Sequence, residues 1–237
     1  MSPLDGMLCS VCGEKLPERY FEDESGPRCV PCQHAAPLFH KAVAYGAYDG
    51  TLRDLLHLFK YQQVRSAAPL LGRLLNLGLG RTELPENLLV VPVPLFRAKQ
   101  RSRGFNQAED IARNLVRCRT DDSIQLEVSA LIRTRDTASQ TGLTRHQRRS
   151  NLRGAFAVPL PEKVRGRNIL IVDDVMTTGT TAGECARVLL RAGASQVFVA
   201  TVARAIKGVE GMLASAGSGR SANLSSGDHS RGTLRHA

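Results

Sequence analysis

The chain has 237 residues, 42% of them hydrophobic, enough for one main core and a small appendage. No apolar stretch approaches the length of a membrane span, and the first six residues lack the basic-then-apolar pattern of a secretory signal, so a soluble cytoplasmic protein without membrane insertion is expected. The formal charge is +10 with a pI near 9.8, and the excess is local: 13 Lys/Arg against 6 Asp/Glu between Arg97 and Arg153. Such a segment attracts polyanions, whether pyrophosphate or nucleic acid, and a solvated arginine-rich face has the same composition.

Residues 1–37 carry two CxxC knuckles, Cys9-Ser10-Val11-Cys12 and Cys29-Val30-Pro31-Cys32, with sixteen residues between them. Each knuckle lets two thiolates converge, and the spacer is long enough for a hairpin to bring all four together as a tetrahedral structural zinc site. A core this small needs such a staple. Redox chemistry lacks its strand–helix context, and two disulfides need an oxidising compartment. Four thiolates leave no open position for substrate, so no catalysis is expected there. His34 and His40 read as surface residues, and Cys118 and Cys185 as core thiols.

Residues 31–37 read as a linker. A loosely alternating strand is expected over Phe39–Tyr48, then a helix over Thr51–Tyr61 with Leu52, Leu55, Leu56 and Phe59 at helical spacing, and a leucine-rich second helix over Pro69–Leu79. Lys60, at the end of the first, either faces the site or pairs with the helix dipole. Leu88–Val93 is a buried strand stopped by Pro92 and Pro94. The basic stretch 97–107 reads as a loop at that strand's end, where α/β folds bind ligands. A helix over Ala108–Cys118 follows, then short strands near Ile124–Val128 and Leu131–Arg133. Residues 137–153 are polar and basic, and read either as a hood over the site or as a disordered surface loop. Strands follow at Gly154–Val158 and Ser195–Val202. The tail, 208–237, is Gly-, Ser- and Ala-rich with no apolar face, and reads as disordered.

The most informative run spans Ile169 to Thr181. Ile169-Leu170-Ile171-Val172 is a buried parallel strand. Asp173 and Asp174 follow, then Val175-Met176-Thr177-Thr178-Gly179-Thr180-Thr181, then a helical pattern over Ala182–Ala192. That order puts backbone N–H groups and hydroxyls at a helix N-terminus, where phosphate binds well, with carboxylates beside it able to accept hydrogen bonds from a sugar diol. An Asp-Asp pair after a strand has a second reading, as a cap on the next helix.

At all thirteen positions the run resembles the phosphoribosyl pyrophosphate (PRPP) signature of type I phosphoribosyltransferases. The resemblance implies that Asp173 and Asp174 are the catalytic pair holding the ribose 2- and 3-hydroxyls, and that residues Val175 to Thr181 bind PRPP, with the 5-phosphate on Thr177–Thr181. In 6-oxopurine salvage enzymes a carboxylate stands where this chain has Thr177; threonine is no base near pH 7, which argues against hypoxanthine or guanine as acceptor. Together with the knuckles, Phe59-Lys60-Tyr61, Val91-Pro92-Val93-Pro94, Arg101-Ser102-Arg103-Gly104-Phe105-Asn106-Gln107, and Gln140, Leu143, Arg148, Asn151, Gly154 and Phe156, the chain is similar to the ComF family, related to proteins of DNA uptake in natural competence. The family implies an α/β type I phosphoribosyltransferase fold over 38–207 with a zinc-binding N-terminus over 1–37. It also implies Mg2+ accompanying PRPP, and pyrophosphate held near Pro92, Val93, Arg101, Arg103 and Arg148. Two functions compete: phosphoribosyl transfer to an unidentified acceptor, and a non-catalytic role binding single-stranded DNA with PRPP as a regulator, Phe105 or Tyr61 stacking on bases. A protein-docking adaptor is a third reading. Nothing in the chain sets the oligomeric state.

Overall fold

The β-branched runs become a five-stranded parallel sheet. In the computed structural model, residues 1–17, 26–119, 124–137 and 145–206 are described, with backbone alone at 145, 146, 148 and 149. The strands are β1 (Lys41–Ala47), β2 (Leu88–Pro92), β3 (Ile124–Leu126), β4 (Ile132–Arg133), β5 (Phe156–Ala157), β6 (Asn168–Met176) and β7 (Gln196–Arg204). The main sheet runs β1-β7-β6-β2-β3, every neighbour parallel; β4 and β5 form a separate antiparallel pair. The helices are α1 (Val30–His34), α2 (Gly50–Tyr61), α3 (Ala68–Leu79), α4 (Arg97–Arg103), α5 (Gln107–Arg117), α6 (Arg145–Leu152) and α7 (Thr180–Arg191).

Central strand β6 shows why an unbroken apolar run is needed. Ile169, Leu170, Ile171 and Val172 are all fully buried because both faces are covered. Ile169 and Ile171 join one core with Leu189 and Ala186 of α7; Leu170 and Val172 join the other with Leu71 and Leu75 of α3 and Ile111 and Leu115 of α5. Gly72 lets α3 approach α5 closely: a Cβ there would lie 2.6 Å from the Asn114 Cβ.

The order of connections sets where a ligand can enter. From β6 the chain passes through α7 to β7 on one side, and from β2 through α5 to β3 on the other. The boundary between β6 and β2 is therefore a topological switch point, where ligands enter open α/β sheets. Pairing of β2 with β6 stops at Pro92–Val172, whereas β6 continues beside β7 to Met176–Arg204. The last four residues of β6 thus have a ladder partner on one side only.

Several local expectations are corrected. The linker over 31–37 is partly the short helix α1, begun by Pro31 in its first turn. The basic stretch after β2 is a helix, α4, ended by Gly104 at φ +80. Cys118 is half-buried rather than a core thiol, while Cys185 is fully buried. Of the hood, 138–144 lie outside the described residues; 145–152 form α6, anchored by fully buried Leu152. The tail also lies outside the described residues. Among the described residues no helix is long and apolar enough to cross a membrane.

Candidate functional site

The sequence reading ended the central strand at Val172, but long β7 keeps β6 paired to Met176, so Asp173 and Asp174 lie within the strand. Strand alternation therefore sends their side chains to opposite faces. Asp174 follows Leu170 and Val172 to the α2 face, is 7% exposed, and accepts Lys60 Nζ at 2.8 Å. Its Oδ1 also accepts the Val175 N–H at 2.8 Å, and Asp173 Oδ1 accepts the Asp174 N–H at 2.9 Å. Burial, with Asp174 beside it, pushes the Asp173 carboxyl up to about 7. Burial alone would push the Lys60 ammonium down; the Asp174 and Asp173 carboxylates more than offset it, and it sits above its usual value. Of the two readings of Lys60, facing the site is the one observed.

Beyond β6, Thr177 is exposed and Thr178–Thr181 are half-buried, so the turn is open to solvent. Gly179, at φ +73, is the N-cap of α7, and the Thr178 and Thr180 hydroxyls lie 2.7 Å apart. The N-cap position of α7 is Gly179, and Asp173 and Asp174 lie within β6, so the capping reading of the Asp-Asp pair does not hold. The first N–H groups of a helix and the positive end of its dipole favour an anion.

Opposite stand the end of β2 and the start of α4. Pro92 and Val93 are buried, and Val93 donates its N–H to the Val172 carbonyl at 2.9 Å, directly before Asp173. Asn106 caps α5, accepting the Ala108 N–H at 3.1 Å, and donates to the Val93 carbonyl at 3.1 Å, which ties the end of β2 to α5. Arg101 is exposed on α4; Arg103 is half-buried, donates to Gln107 Oε1 at 2.7 Å, and holds its guanidinium 5.8 Å from the centroid of the Tyr61 ring. Desolvation, then repulsion from Arg103, Arg133 and Lys60, pushes Lys99 down, so these cations share one neighbourhood. Desolvation likewise lowers Arg133, which feels the Asp173 charge. Phe105 is not free to stack on a base: it is 4% exposed, packed against Phe59 at 5.3 Å under the Arg65 guanidinium. Tyr61 is 65% exposed.

At the N-terminus, the Cys9, Cys12, Cys29 and Cys32 sulfurs all lie within 4.8 Å of one another, and all four residues are buried free thiols. A zinc ion with Zn–S bonds of about 2.3 Å needs a tetrahedron with sulfur–sulfur edges of about 3.8 Å, so the set fits a four-thiolate metal such as zinc. The Cys12 and Cys29 sulfurs are already 3.5 Å apart. Crowding shows in the thiols: hydrogen bonds with Cys12 and Cys32 push Cys9 down, while those with Cys12 and Cys9 push Cys32 up. His34 and His40 are exposed and outside the cluster.

With this geometry in view, comparison with known proteins is decisive. Residues 101–223 match the phosphoribosyl transferase domain model. The chain is 36% identical over 211 residues to the DNA utilization protein YhgH of Escherichia coli K12, covering 85% of this chain and 86% of that protein. It is 32% identical over 204 residues to competence protein F of Haemophilus influenzae, covering 83% and 84%. Against competence protein ComFC of Streptococcus pneumoniae identity is 24% over 214 residues, covering 84% and 89%. The chain belongs to this competence and DNA utilization family of phosphoribosyl transferase domain proteins.

Within the family's domain, the fold gathers Asp173, Asp174, the turn 177–181, Pro92, Val93 and Arg103 around one strand end. Arg101 stands farther out on α4, and the Arg148 side chain lies outside the described residues. Sequence reasoning missed three cations. Lys99 lay in the basic run and was passed over for its neighbours. Arg133 sat in a weakly patterned strand. Arg204, 3% exposed, lay two residues past the strand read to Val202 and gave no signal of its own.

Proposed function

We propose that the crevice at the β6–β2 boundary binds PRPP and that the protein transfers or recognises phosphoribosyl groups. The observation that carries this is the combination at one strand end of a buried carboxylate held by Lys60, a second carboxylate beside it, and an open turn leading through Gly179 into the start of α7. In this reading the 5-phosphate lies on Thr177–Thr181, with Val175 and Met176 shaping the turn. Asp173 and Asp174 accept the ribose hydroxyls. Pro92, Val93, Arg101 and Arg103, with Lys99, take the pyrophosphate, and Arg148 is assigned to it by the family resemblance. Mg2+ prefers hard oxygen ligands, which ligand phosphates and a carboxylate offer, and when bound it would neutralise pyrophosphate charge.

In transfer, pyrophosphate leaves C1 with the bonding pair, an acceptor lone pair forms the new bond, and positive charge develops on the ribose. The aspartates hold the sugar and the cations stabilise the departing anion. We infer further that residues 1–37 act as a structural zinc module and 38–207 as the phosphoribosyltransferase-like domain. The test is pyrophosphate release from PRPP across a panel of bases and amines. Asp174→Asn should cut release by about 100-fold or more, since it strips a charge from the sugar contact and from Lys60. Equal release by the variant sinks the reading.

One observation favours a second role in handling single-stranded DNA: exposed Tyr61, stacked by Arg103, borders Lys60 and the basic helix α4. The names of the relatives agree with a role in DNA use. Oligonucleotide affinity should fall steeply with salt and drop about tenfold in Tyr61→Ala; salt-insensitive binding excludes it.

A further inference from the structure

Arg204 closes β7 deep inside the protein, 3% exposed, where a guanidinium is rarely found. Its backbone is fixed on both sides: the Tyr48 N–H donates to the Arg204 carbonyl at 2.8 Å, and the Ala205 N–H donates to the Met176 carbonyl at 2.9 Å. The side chain then joins two distant parts of the chain. Nη1 donates to the Met176 carbonyl at 3.3 Å and to the Thr177 carbonyl. Nη2 donates to Glu14 Oε2 at 2.6 Å and approaches Cys12 Sγ at 3.7 Å. Glu14 is itself built into the first knuckle, its carbonyl accepting the Cys9 N–H at 2.8 Å.

The consequence follows from peptide geometry. In a trans peptide the C=O of one residue and the N–H of the next point in opposite directions. Holding the Met176 and Thr177 carbonyls toward Arg204 turns the N–H groups of Thr177 and Thr178 away from it. These amides open the turn in which a phosphate would sit, and their carbonyls would repel an anion if they rotated inward. On the other side, thiolate charge and the Glu14 carboxylate compensate the buried guanidinium, as partners behind metal ligands do elsewhere.

We propose that Arg204 is a positioning residue that couples the cysteine centre to the phosphate turn: a metal on the four thiolates fixes Glu14 and Cys12, these fix the guanidinium, and the guanidinium orients the amides of Thr177 and Thr178. The inference rests on reading 177–181 as a phosphate site. Coupling of this kind is reciprocal, so ligand at the turn tightens metal at the knuckles by the same factor by which metal tightens ligand.

Ribose 5-phosphate is the probe, titrated calorimetrically into the zinc-loaded wild type and Glu14→Ala, with zinc content measured and amide hydrogen exchange read at 177–179. Glu14→Ala is expected to keep its zinc, lose about tenfold in affinity for the sugar phosphate, and exchange faster at 177–179 while Ile169–Ile171 stay protected. In the wild type, saturating ribose 5-phosphate is expected to raise zinc affinity about tenfold in chelator competition. Unchanged affinity and exchange in zinc-loaded Glu14→Ala overturn the coupling. If the variant loses its zinc or fails to fold, the wild-type competition decides alone, and equal zinc affinity with and without the sugar phosphate overturns it. If the wild type does not bind ribose 5-phosphate, the phosphate reading fails, while exchange at 177–179 in Glu14→Ala still decides whether the knuckle orients the turn.

Discussion

The cysteine knuckles and the turn 177–181 are both short, with Gly13 directly after the first knuckle and Gly179 within the turn, yet they differ in what surrounds them. The turn is bounded by β6 and α7, which bury Ile169, Ile171 and Leu189 completely, so its ends are positioned by a packed sheet. The knuckles have little regular structure, the five-residue α1 apart, and their buried residues are largely the cysteines themselves. The difference teaches where rigidity comes from: hydrophobic burial fixes the turn, and a metal on the four thiolates would add to the burial that holds the knuckles.

The strongest way to break this comparison is to remove a thiolate. Cys29→Ala should abolish stoichiometric zinc and lower stability by at least about 3 kcal/mol, with hydrogen exchange rising first in residues 1–16. If metal content and stability are unchanged, the knuckles are not held as described. A smaller effect is expected at the turn. Gly179 sits at φ +73, and an added Cβ would meet only ordinary contacts, 3.7 Å from the Phe39 ring. Gly179→Ala should therefore cost about 1–2 kcal/mol of backbone strain and weaken PRPP binding, while leaving zinc content untouched; equal thermal stability would show that the turn relaxes freely.

The smallest effect serves as a control belonging to neither region. Lys163 Nζ pairs with Glu127 Oε2 at 2.8 Å, and the Lys163 and Ser129 hydrogen bonds pull the Glu127 carboxyl down to about 2. Because this value lies below that of an unfolded glutamate, the stabilisation is complete above the unfolded value and is lost as pH falls through about 2. Lys163→Met should cost about 1 kcal/mol at pH 7, discounted because the lysine is partly exposed. The gap from wild type, read by urea denaturation, should close in acid. A gap that widened in acid would reverse the assigned sign.

Much of the site was legible because its chemistry is local. Asp173, Asp174 and the turn 177–181 are consecutive, and each knuckle is four residues long, so spacing alone exposed them. The partners were less legible because they are distant. Lys60 reaches Asp174 from a helix more than a hundred positions earlier, and Arg204 meets Glu14 across nearly the whole chain. Phe105 was misread because an aromatic in a basic run looks like a stacking platform until Phe59 is packed against it. The basic stretch was read as a loop because it lacks apolar periodicity; α4 has no buried residue, so its helix left no such pattern.

By itself, the order of residues determined the buried central strand, the acidic pair, the hydroxyl-rich turn and each CxxC knuckle, because each is set by neighbours within a few peptide bonds. The tertiary structure alone decided which faces the two aspartates take, which cations surround them, and that one buried arginine touches both polar regions. Those outcomes depend on strand order and register, which bring together side chains that no local pattern connects.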